Sequence, residues 1–268
     1  MAPNRRPDND TAPLVLRSDT DGVVRLTLNR PKHLNALSEA MIEALIAELD
    51  AVGESNSARV VVLAGNGANF CAGHDLKEMR GSQDGDWHRQ LFRKCTSLMR
   101  RIAEIPQPVI ARVQGIATAA GCQIVAGSDL AIASENARFA TSGINVGLFC
   151  STPAVPLTRA VPAKAAFEML ITGDFIDATE AHRIGLVNEV VPEDCLDDAV
   201  ATLAGKIKTK SPLAVATGKR LFHSLYDRDL EKAYAAAAET MVSSMSTEDV
   251  GEGIDAFIAK RQPVWRGR

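Results

Sequence analysis

The chain has few aromatic residues, little net charge and no long uninterrupted apolar run. Aromatics make up 4% of its 268 residues and the formal net charge is −3. Neither stacking platforms nor a basic surface therefore indicates a nucleic-acid partner. No apolar stretch has the length needed to span a bilayer, so we expect no membrane segment. These absences favour a soluble globular protein with one substantial core or a core plus a helical appendage.

Cysteine and metal-ligand patterns are equally sparse. The cysteines stand singly, without C-x-x-C pairs, which favours a reducing, cytoplasmic setting. The five histidines show neither H-x-x-x-H nor H-E-x-x-H spacing, so no metal site is predicted. Residues 1–12 are expected to form a disordered tail, because they lack the apolar segment of a secretory signal and carry acidic residues unusual in transit peptides.

Apolar periodicity predicts an α/β chain. Val24, Leu26 and Leu28 alternate with other residues as in a strand, and Ser38 is a plausible N-cap for a following helix. Further strands and helices alternate after it, which implies parallel pairing with right-handed crossovers. We therefore predict a core over residues 13–191 and a helical region over residues 192–268. The predicted helices of that region span 193–209, 212–225, 229–245 and 247–261.

The segment from Phe70 to Met79 is the most informative one. It follows an apolar run ending at Leu63 and a turn containing Gly65 and Gly67. This order is typical of a buried strand, a loop of small residues and a helix start. A helix N-terminus presents unpaired N–H groups and can hold an anionic oxygen, either on a phosphate or developing on a carbonyl.

Six separated motifs follow one another along the chain. They are Asn29-Arg30-Pro31-Lys32 with Asn35-Ala36-Leu37, Arg59-Val60-Val61-Val62-Leu63-Ala64-Gly65, Phe70-Cys71-Ala72-Gly73-x-Asp75-Leu76-Lys77, Pro108-Val109-Ile110-Ala111, Asp129-Leu130-x-Ile132-Ala133, and Leu170-x-Thr172-Gly173 ahead of Gly185-Leu186-Val187. In this order they resemble the enoyl-CoA hydratase/isomerase (crotonase) family over about residues 14 to 265. That resemblance implies a spiral of ββα turns, a C-terminal α-helical trimerisation region, and assembly as a homotrimer or hexamer. It implies an acyl-CoA thioester ligand, with coenzyme A entering as part of the substrate and no cofactor bound permanently.

The resemblance also implies a binding site. Its oxyanion hole falls on the backbone N–H groups of His74 and Ala120, which would stabilise charge on a thioester carbonyl as an enolate forms. The resemblance places the backbone near Ala36 and Ala72 against the adenine and Lys32 near the phosphates, although solvated surface lysine is the alternative for Lys32 and Lys260. Phe257 and Lys260 are expected to reach the nucleotide, often that of a neighbouring subunit, from one face of a helix because they are three residues apart. The implied substrate contacts are Lys32, Leu34, Ala36, Ala72, His74, Asp75, Leu76, Ala120, Ser142, Phe257 and Lys260.

Two positions depart from the family pattern. The hydratases of the family use two glutamates, and these positions carry Gln123 and Gly143 here. Neither residue titrates, and general acid–base catalysis is typically worth about 10²- to 10⁴-fold per group, so ordinary two-glutamate hydration is not supported. The stretch Gly147 to Pro153 resembles the subgroup called enoyl-CoA hydratase domain-containing protein 3, which shares both losses.

Two functions remain open from the sequence. The first is an enoyl-CoA hydratase/isomerase of fatty-acid metabolism that uses other chemistry, and the second is a non-catalytic acyl-CoA-binding pseudoenzyme. His74 is the nearest titratable side chain but is expected to be an exposed loop histidine. Cys150 is either a nucleophile or a small packed thiol. The apolar surface of the helix around Ala233 to Ala238 either packs internally or forms a subunit interface.

Overall fold

The computed structural model describes residues 12–268, so the tail predicted for residues 1–12 lies outside the described residues except for Ala12. Strands and helices alternate through the first two thirds of the chain, and helices alone follow, as the sequence predicts. The strands are β1 (Val15–Thr20), β2 (Val23–Leu28), β3 (Val60–Gly65), β4 (Val109–Val113), β5 (Ile116–Thr118), β6 (Leu130–Ser134), β7 (Arg138–Ala140), β8 (Ile176–Asp177) and β9 (Glu189–Val191).

The helices match the apolar periodicity closely. Ser38 caps the first helix by accepting from the Met41 N–H, as predicted. The helices are α1 (Glu39–Gly53), α2 (Leu76–Gly81), α3 (Gly85–Glu104), α4 (Ala120–Gly127), α5 (Ser151–Ala160), α6 (Ala163–Thr172), α7 (Ala178–Arg183), α8 (Leu196–Lys208), α9 (Pro212–Leu225), α10 (Leu230–Met245) and α11 (Glu248–Ile258).

The strands form two sheets. The larger sheet has the order β1-β2-β3-β4-β6-β9, and all its pairs are parallel except β1 with β2. The smaller sheet has the order β5-β7-β8. The chain passes from β4 to β5 and then into α4, and again from β6 to β7, so successive strand–strand–helix turns stack as a spiral.

The larger sheet is buried on both faces. Val61 packs into the main cluster with α1 and α3, whereas Val60 faces the opposite way and contacts residues of α8. A strand buried on both faces explains why β3 is a continuous apolar run rather than an alternating one. The helical region is tied to this sheet by Arg112 of β4, whose Nε donates to Asp197 of α8 at 2.7 Å.

The next helix, α9, reaches into the core through one lysine. The Nζ of Lys219 lies 2.7 Å from Asp129 and donates to the carbonyls of Ile102 and Gln107 at 2.7 and 2.9 Å. Burial lowers the pKa of Lys219, and the Asp129 carboxylate opposes that shift.

By contrast, α10 and α11 leave large apolar side chains exposed. These are Leu230, Tyr234, Met241, Val242, Met245, Ile254, Phe257 and Ile258.

Candidate functional site

A cavity of about 360 Å³ lies between the loop before α2, the start of α4 and the loop before α5. It brings together side chains and backbone from four separated segments of the chain. Leu76, Met79, Phe92, Leu148 and Phe149 give it a mostly apolar wall. Six of the residues predicted for the site line it, namely Ala72, His74, Leu76, Ala120, Ser142 and Gly143.

The backbone N–H of His74 is left without a partner by the way its strand segment pairs. The Leu37 N–H donates to the Gly73 carbonyl at 2.8 Å, and the Asp75 N–H donates to the Leu37 carbonyl at 3.0 Å. In a parallel bridge of this kind, Gly73 and Asp75 both bond to Leu37, and His74 between them points its own N–H away from Leu37. No acceptor for the His74 N–H is found in residues 12–268. This donor is therefore available to a ligand.

A second free donor stands at the start of α4. Ala119 precedes the helix with φ 49° and ψ −117°, a conformation that a residue other than glycine rarely adopts, and its side chain makes no capping hydrogen bond. Ala120 is the first helical residue, so its N–H has no intrahelical acceptor and lies at the positive end of the helix dipole. Strained backbone held in place at a helix start is typical of functional sites.

Two glycines bring these donors together. A Cβ on Gly73 would lie 2.9 Å from the Ala119 Cβ and 3.2 Å from the Ala120 nitrogen. A Cβ on Gly121 would lie 2.1 Å from the Cys71 carbonyl oxygen. Because both positions lack a side chain, the loop through His74 packs backbone to backbone against the start of α4. The free N–H groups of His74 and Ala120 consequently belong to one wall of the cavity.

The imidazole of His74 is buried, so the expectation of an exposed loop histidine is wrong. Both ring nitrogens are shielded from solvent, and the Leu37 backbone is the polar group that faces the ring. The ring meets Phe92 of α3 edge-on, with 5.6 Å between the ring centroids. Burial lowers the pKa of His74 to about 4, and the nearby Leu37 backbone opposes this shift only in part. The ring is therefore neutral at physiological pH.

Gly143, at the second glutamate position of the family's hydratases, has no side chain, and the structure leaves no space for one. A Cβ on Gly143 would lie 2.5 Å from the Leu148 carbonyl oxygen and 2.8 Å from the Cys150 Sγ. The Cys150 thiol thus stands where a side chain at residue 143 would begin. Burial raises the pKa of this thiol, which favours the packed-thiol interpretation over a nucleophile.

Gln123, at the first glutamate position of the family's hydratases, does not line this cavity. The Gln123 side chain is 3% exposed, and its Oε1 lies 4.0 Å from the Cys95 Sγ of α3. It lines a separate cavity of about 570 Å³ between α3, α4, α5 and α9. Thr152 borders both cavities. The structure therefore does not bring Gln123 and Gly143 around one space.

The other residues predicted to contact the substrate divide into two groups. Leu34 and Ala36 lie beside the His74 loop, where the Leu34 carbonyl accepts from the Ala72 N–H at 3.0 Å. Asp75 caps α2 and pairs with Arg30 at 3.1 Å, and Arg30 also donates to the Ala36 carbonyl at 2.8 Å. This linkage fixes the loop that carries the free His74 N–H.

The remaining predicted contacts lie outside the cavity. Lys32 is exposed in a short 3₁₀ helix, and Phe257 near the end of α11 is 85% exposed. Lys260 follows α11 with φ 53° rather than continuing the helix, so the expectation that it shares a helix face with Phe257 is wrong. Roles for Lys32, Phe257 and Lys260 at a nucleotide stay predictions.

Sequence reasoning missed three contributors to the site. Phe92 lies on α3 away from its buried apolar stripe, so helical periodicity gives no signal for it. Leu148 and Phe149 belong to an irregular loop, where no periodicity applies.

Over residues 12–268 no group of acidic, histidine and cysteine side chains is arranged to hold a metal ion. Within the same residues, no helix combines the length and apolarity needed to cross a bilayer.

Comparisons with known proteins agree on one family. The family model described as Enoyl-CoA hydratase/isomerase matches residues 18–268. The rat protein named enoyl-CoA hydratase domain-containing protein 3, mitochondrial, is 47% identical over 245 residues, which cover 91% of this chain and 82% of the rat protein.

Two solved structures give the same result at the level of the fold. An enoyl-CoA hydratase from Mycobacterium smegmatis is 54% identical with a TM-score of 0.93, and the match covers 95% of this chain and 99% of that one. Human enoyl-CoA hydratase domain-containing protein 3 is 44% identical with a TM-score of 0.92, covering 94% and 100% of the two chains. The predicted spiral α/β fold with a helical C-terminal region is confirmed.

One expectation is contradicted by these relatives. The rat protein is named mitochondrial, which overturns the cytoplasmic location inferred from the single cysteines. Unpaired cysteines report on a reducing environment and carry no information about which compartment supplies it.

Proposed function

Because the chain belongs to the enoyl-CoA hydratase/isomerase family and to its subgroup named enoyl-CoA hydratase domain-containing protein 3, we propose that it binds an acyl-CoA thioester in the 360 Å³ cavity. The thioester oxygen would lie between the backbone N–H groups of His74 and Ala120. Such fixed donors stabilise an oxygen most strongly when negative charge develops on it, as in an enolate.

The pair of unpartnered N–H groups is the observation that carries this proposal. The His74 N–H is freed by the bridge to Leu37, and the Ala120 N–H stands uncapped at a helix start. The apolar cavity beside them suits an acyl chain rather than a phosphate, because Leu76, Phe92 and Leu148 offer it no charge. A phosphate site would need basic side chains in place of these.

The reaction that fits best proceeds through an enolate without adding water. Gly143 has no acid and no room for one, and Gln123 lies outside the cavity. Hydration with two glutamates is therefore not part of the proposal, whereas isomerase-type proton transfer needs the oxygen site and a single base. The second candidate is a non-catalytic acyl-CoA-binding protein, which the empty acid positions favour.

Coenzyme A is proposed as part of the substrate, with no separate resident cofactor. Lys32 and Leu34 are the proposed contacts to its nucleotide end, together with Phe257 and Lys260 of a neighbouring subunit. The exposed apolar surface of α10 and α11 supports a homotrimer or a hexamer made of two trimers.

Isothermal titration with hexanoyl-CoA, crotonyl-CoA and free coenzyme A tests the proposal. We expect both thioesters to bind more tightly than free coenzyme A, and crotonyl-CoA to be hydrated far more slowly than is usual in the family. The variant Ala120→Pro removes one N–H and should weaken thioester binding, and because the strained Ala119 precedes it, urea unfolding of the same variant separates the lost N–H from lost stability. Leu230→Pro, at the first residue of α10, is the control for a proline in a first helical turn away from the cavity. Absence of binding by any thioester would refute the proposal.

A further inference from the structure

The cavity of about 570 Å³ between α3, α4, α5 and α9 has no part in the proposed function, and we call it the second cavity. Its volume lies in the range of about 300–1,000 Å³ in which proteins hold small organic molecules. Each of the four helices contributes apolar side chains to its wall, among them Met99, Val125, Val155 and Phe222. Such a wall favours an apolar ligand body, and the polar groups between these side chains decide which ligand the cavity takes.

The second cavity offers no free positive charge to an anion. Arg100 and Arg159 line it, and each is paired with a carboxylate, since Arg100 lies 2.6 Å from Glu104 and Arg159 lies 3.3 Å from Asp227. No lysine of the described residues lines it. A phosphate or carboxylate in this space would have to compete for an engaged arginine, and burying an anion without a partner is costly. The cavity therefore favours a neutral ligand.

The fold fixes the ring of His223 at this cavity. The Asp129 side chain is 13% exposed, and its Oδ2 accepts from the Val109 N–H at 2.7 Å and lies 2.7 Å from the Lys219 Nζ. Its Oδ1 lies 2.8 Å from the Nε2 of His223. Because a carboxylate only accepts hydrogen bonds, Nε2 carries the hydrogen and donates it. In the neutral ring, Nδ1 is then an acceptor with a lone pair.

This acceptor is available to a ligand. His223 and Asp129 both line the second cavity, and Nδ1 is the polar atom of the ring that Asp129 does not engage. Within residues 12–268 nothing donates to it, and it is not shielded from solvent. Phe222 meets the ring edge-on, with 5.5 Å between the ring centroids, and its side chain offers no hydrogen-bonding group. A ligand with an O–H group can supply the missing donor.

Gln123 adds an unused donor from the α4 wall. The residue is 3% exposed, and its Oε1 lies 4.0 Å from the Cys95 Sγ. Its Nε2 finds no acceptor among the described residues, although buried polar groups are nearly always hydrogen-bonded and a leucine would fill this space without that cost. The second cavity thus presents both an acceptor and a donor. A hydroxyl group can bond with either, because its O–H donates and its oxygen accepts.

We propose that the second cavity binds a neutral molecule with an apolar body and a hydroxyl group, and that this hydroxyl donates to the Nδ1 of His223 while Asp129 holds the ring. The N–H groups of His74 and Ala120 belong to the other cavity, so the site stands independently of the proposed acyl-CoA site. A medium-chain alcohol is the simplest molecule of this class.

Calorimetric titration of wild type at pH 8 with 1-octanol, heptyl methyl ether and octanoate tests the site. The three molecules have similar size, but the ether has no donor and octanoate is charged. We expect 1-octanol to bind at least about fivefold more tightly than either, as one net hydrogen bond provides. His223→Phe keeps an aromatic ring without the acceptor and should bind the alcohol and the ether equally. His182→Phe, on α7 and lining neither cavity, is the matched control and should keep the preference.

Nitrogen NMR of wild type with ¹⁵N-labelled histidines gives a measurement that does not depend on the folding of a variant. One imidazole resonance is expected to move when 1-octanol saturates the protein and to stay in place with heptyl methyl ether. Its absence from the spectrum of His223→Phe or His223→Gln assigns it. A repeat of the octanol titration in the presence of hexanoyl-CoA shows whether the two ligands occupy separate cavities.

The outcomes divide clearly. A preference for 1-octanol that is lost in His223→Phe, together with the moving resonance, supports the proposal. Equal affinities for alcohol and ether in wild type, tighter binding of octanoate, a preference retained in His223→Phe, or no binding of 1-octanol overturns it. Displacement of 1-octanol by hexanoyl-CoA would place the alcohol in the thioester cavity and also overturns it. None of these results bears on whether the thioester itself binds.

Discussion

The Cα of Gly121 lies against the carbonyl of Cys71, so closely that a Cβ at residue 121 would be 2.1 Å from the carbonyl oxygen. This contact joins the first helical turn of α4 to the strand segment that leads to His74. The alignment of the two free N–H groups depends on it, because each group belongs to one of the two backbones in contact.

Gly121→Ala is expected to destabilise the protein by about 2 kcal/mol or more, because the added methyl must push backbone away from backbone. It should also weaken acyl-CoA binding by separating the two donors. Urea unfolding and calorimetry measure the two effects. Gly205→Ala, inside α8 with nothing within 4 Å of the new Cβ, is the control and should be stabilised by about 0.5–1 kcal/mol. Equal unfolding free energies and equal acyl-CoA affinities of the two variants would contradict the close backbone packing between Gly121 and Cys71.

Gly143→Glu is expected not to restore hydration of crotonyl-CoA. The glutamate Cβ would meet the Leu148 carbonyl at 2.5 Å and the Cys150 thiol at 2.8 Å, so the loop before α5 must move before the carboxyl can enter the cavity. Gly143→Ala, which carries the same clash without the acid, should lose a similar amount of stability. Hydration gained in Gly143→Glu at a rate usual for the family would show that the position is open.

The stability of the protein is expected to fall with acid partly through His74. Burial holds its folded pKa at about 4 against 6.5 in the unfolded chain, so the unfolded state binds the proton more readily between those values. The contribution is complete above pH 6.5 and is lost as the pH falls toward 4, by up to about 3 kcal/mol. Urea unfolding of wild type and His74→Gln from pH 7.5 to pH 4.5 measures it. The difference between their unfolding free energies should shift with pH in favour of the variant, and a constant difference would contradict the assigned pKa.

Local sequence predicts the elements of this fold well and the contacts between them poorly. The helices α8 to α11 follow from apolar periodicity, and the cap at Ser38 follows from its side-chain chemistry. The pairing of His74 with Leu37 joins residues far apart in the chain and leaves no periodic signal.

The details of the cavity show the same limit. The burial of the His74 ring depends on Phe92, which lies on α3, and the closure of position 143 depends on the Leu148 carbonyl. Motif alignment identifies Gln123 and Gly143 as equivalent losses. The structure separates them, since one faces another cavity and the other has no room for a side chain.

The proposed function requires that a bound thioester carbonyl be polarised between the N–H groups of His74 and Ala120. Infrared difference spectroscopy of hexanoyl-CoA, labelled with ¹³C at the thioester carbonyl, measures this polarisation on the bound ligand. The carbonyl band is expected to move to lower wavenumber on binding to wild type and to move less on binding to Ala120→Pro. Tight binding with an unshifted carbonyl band would contradict it.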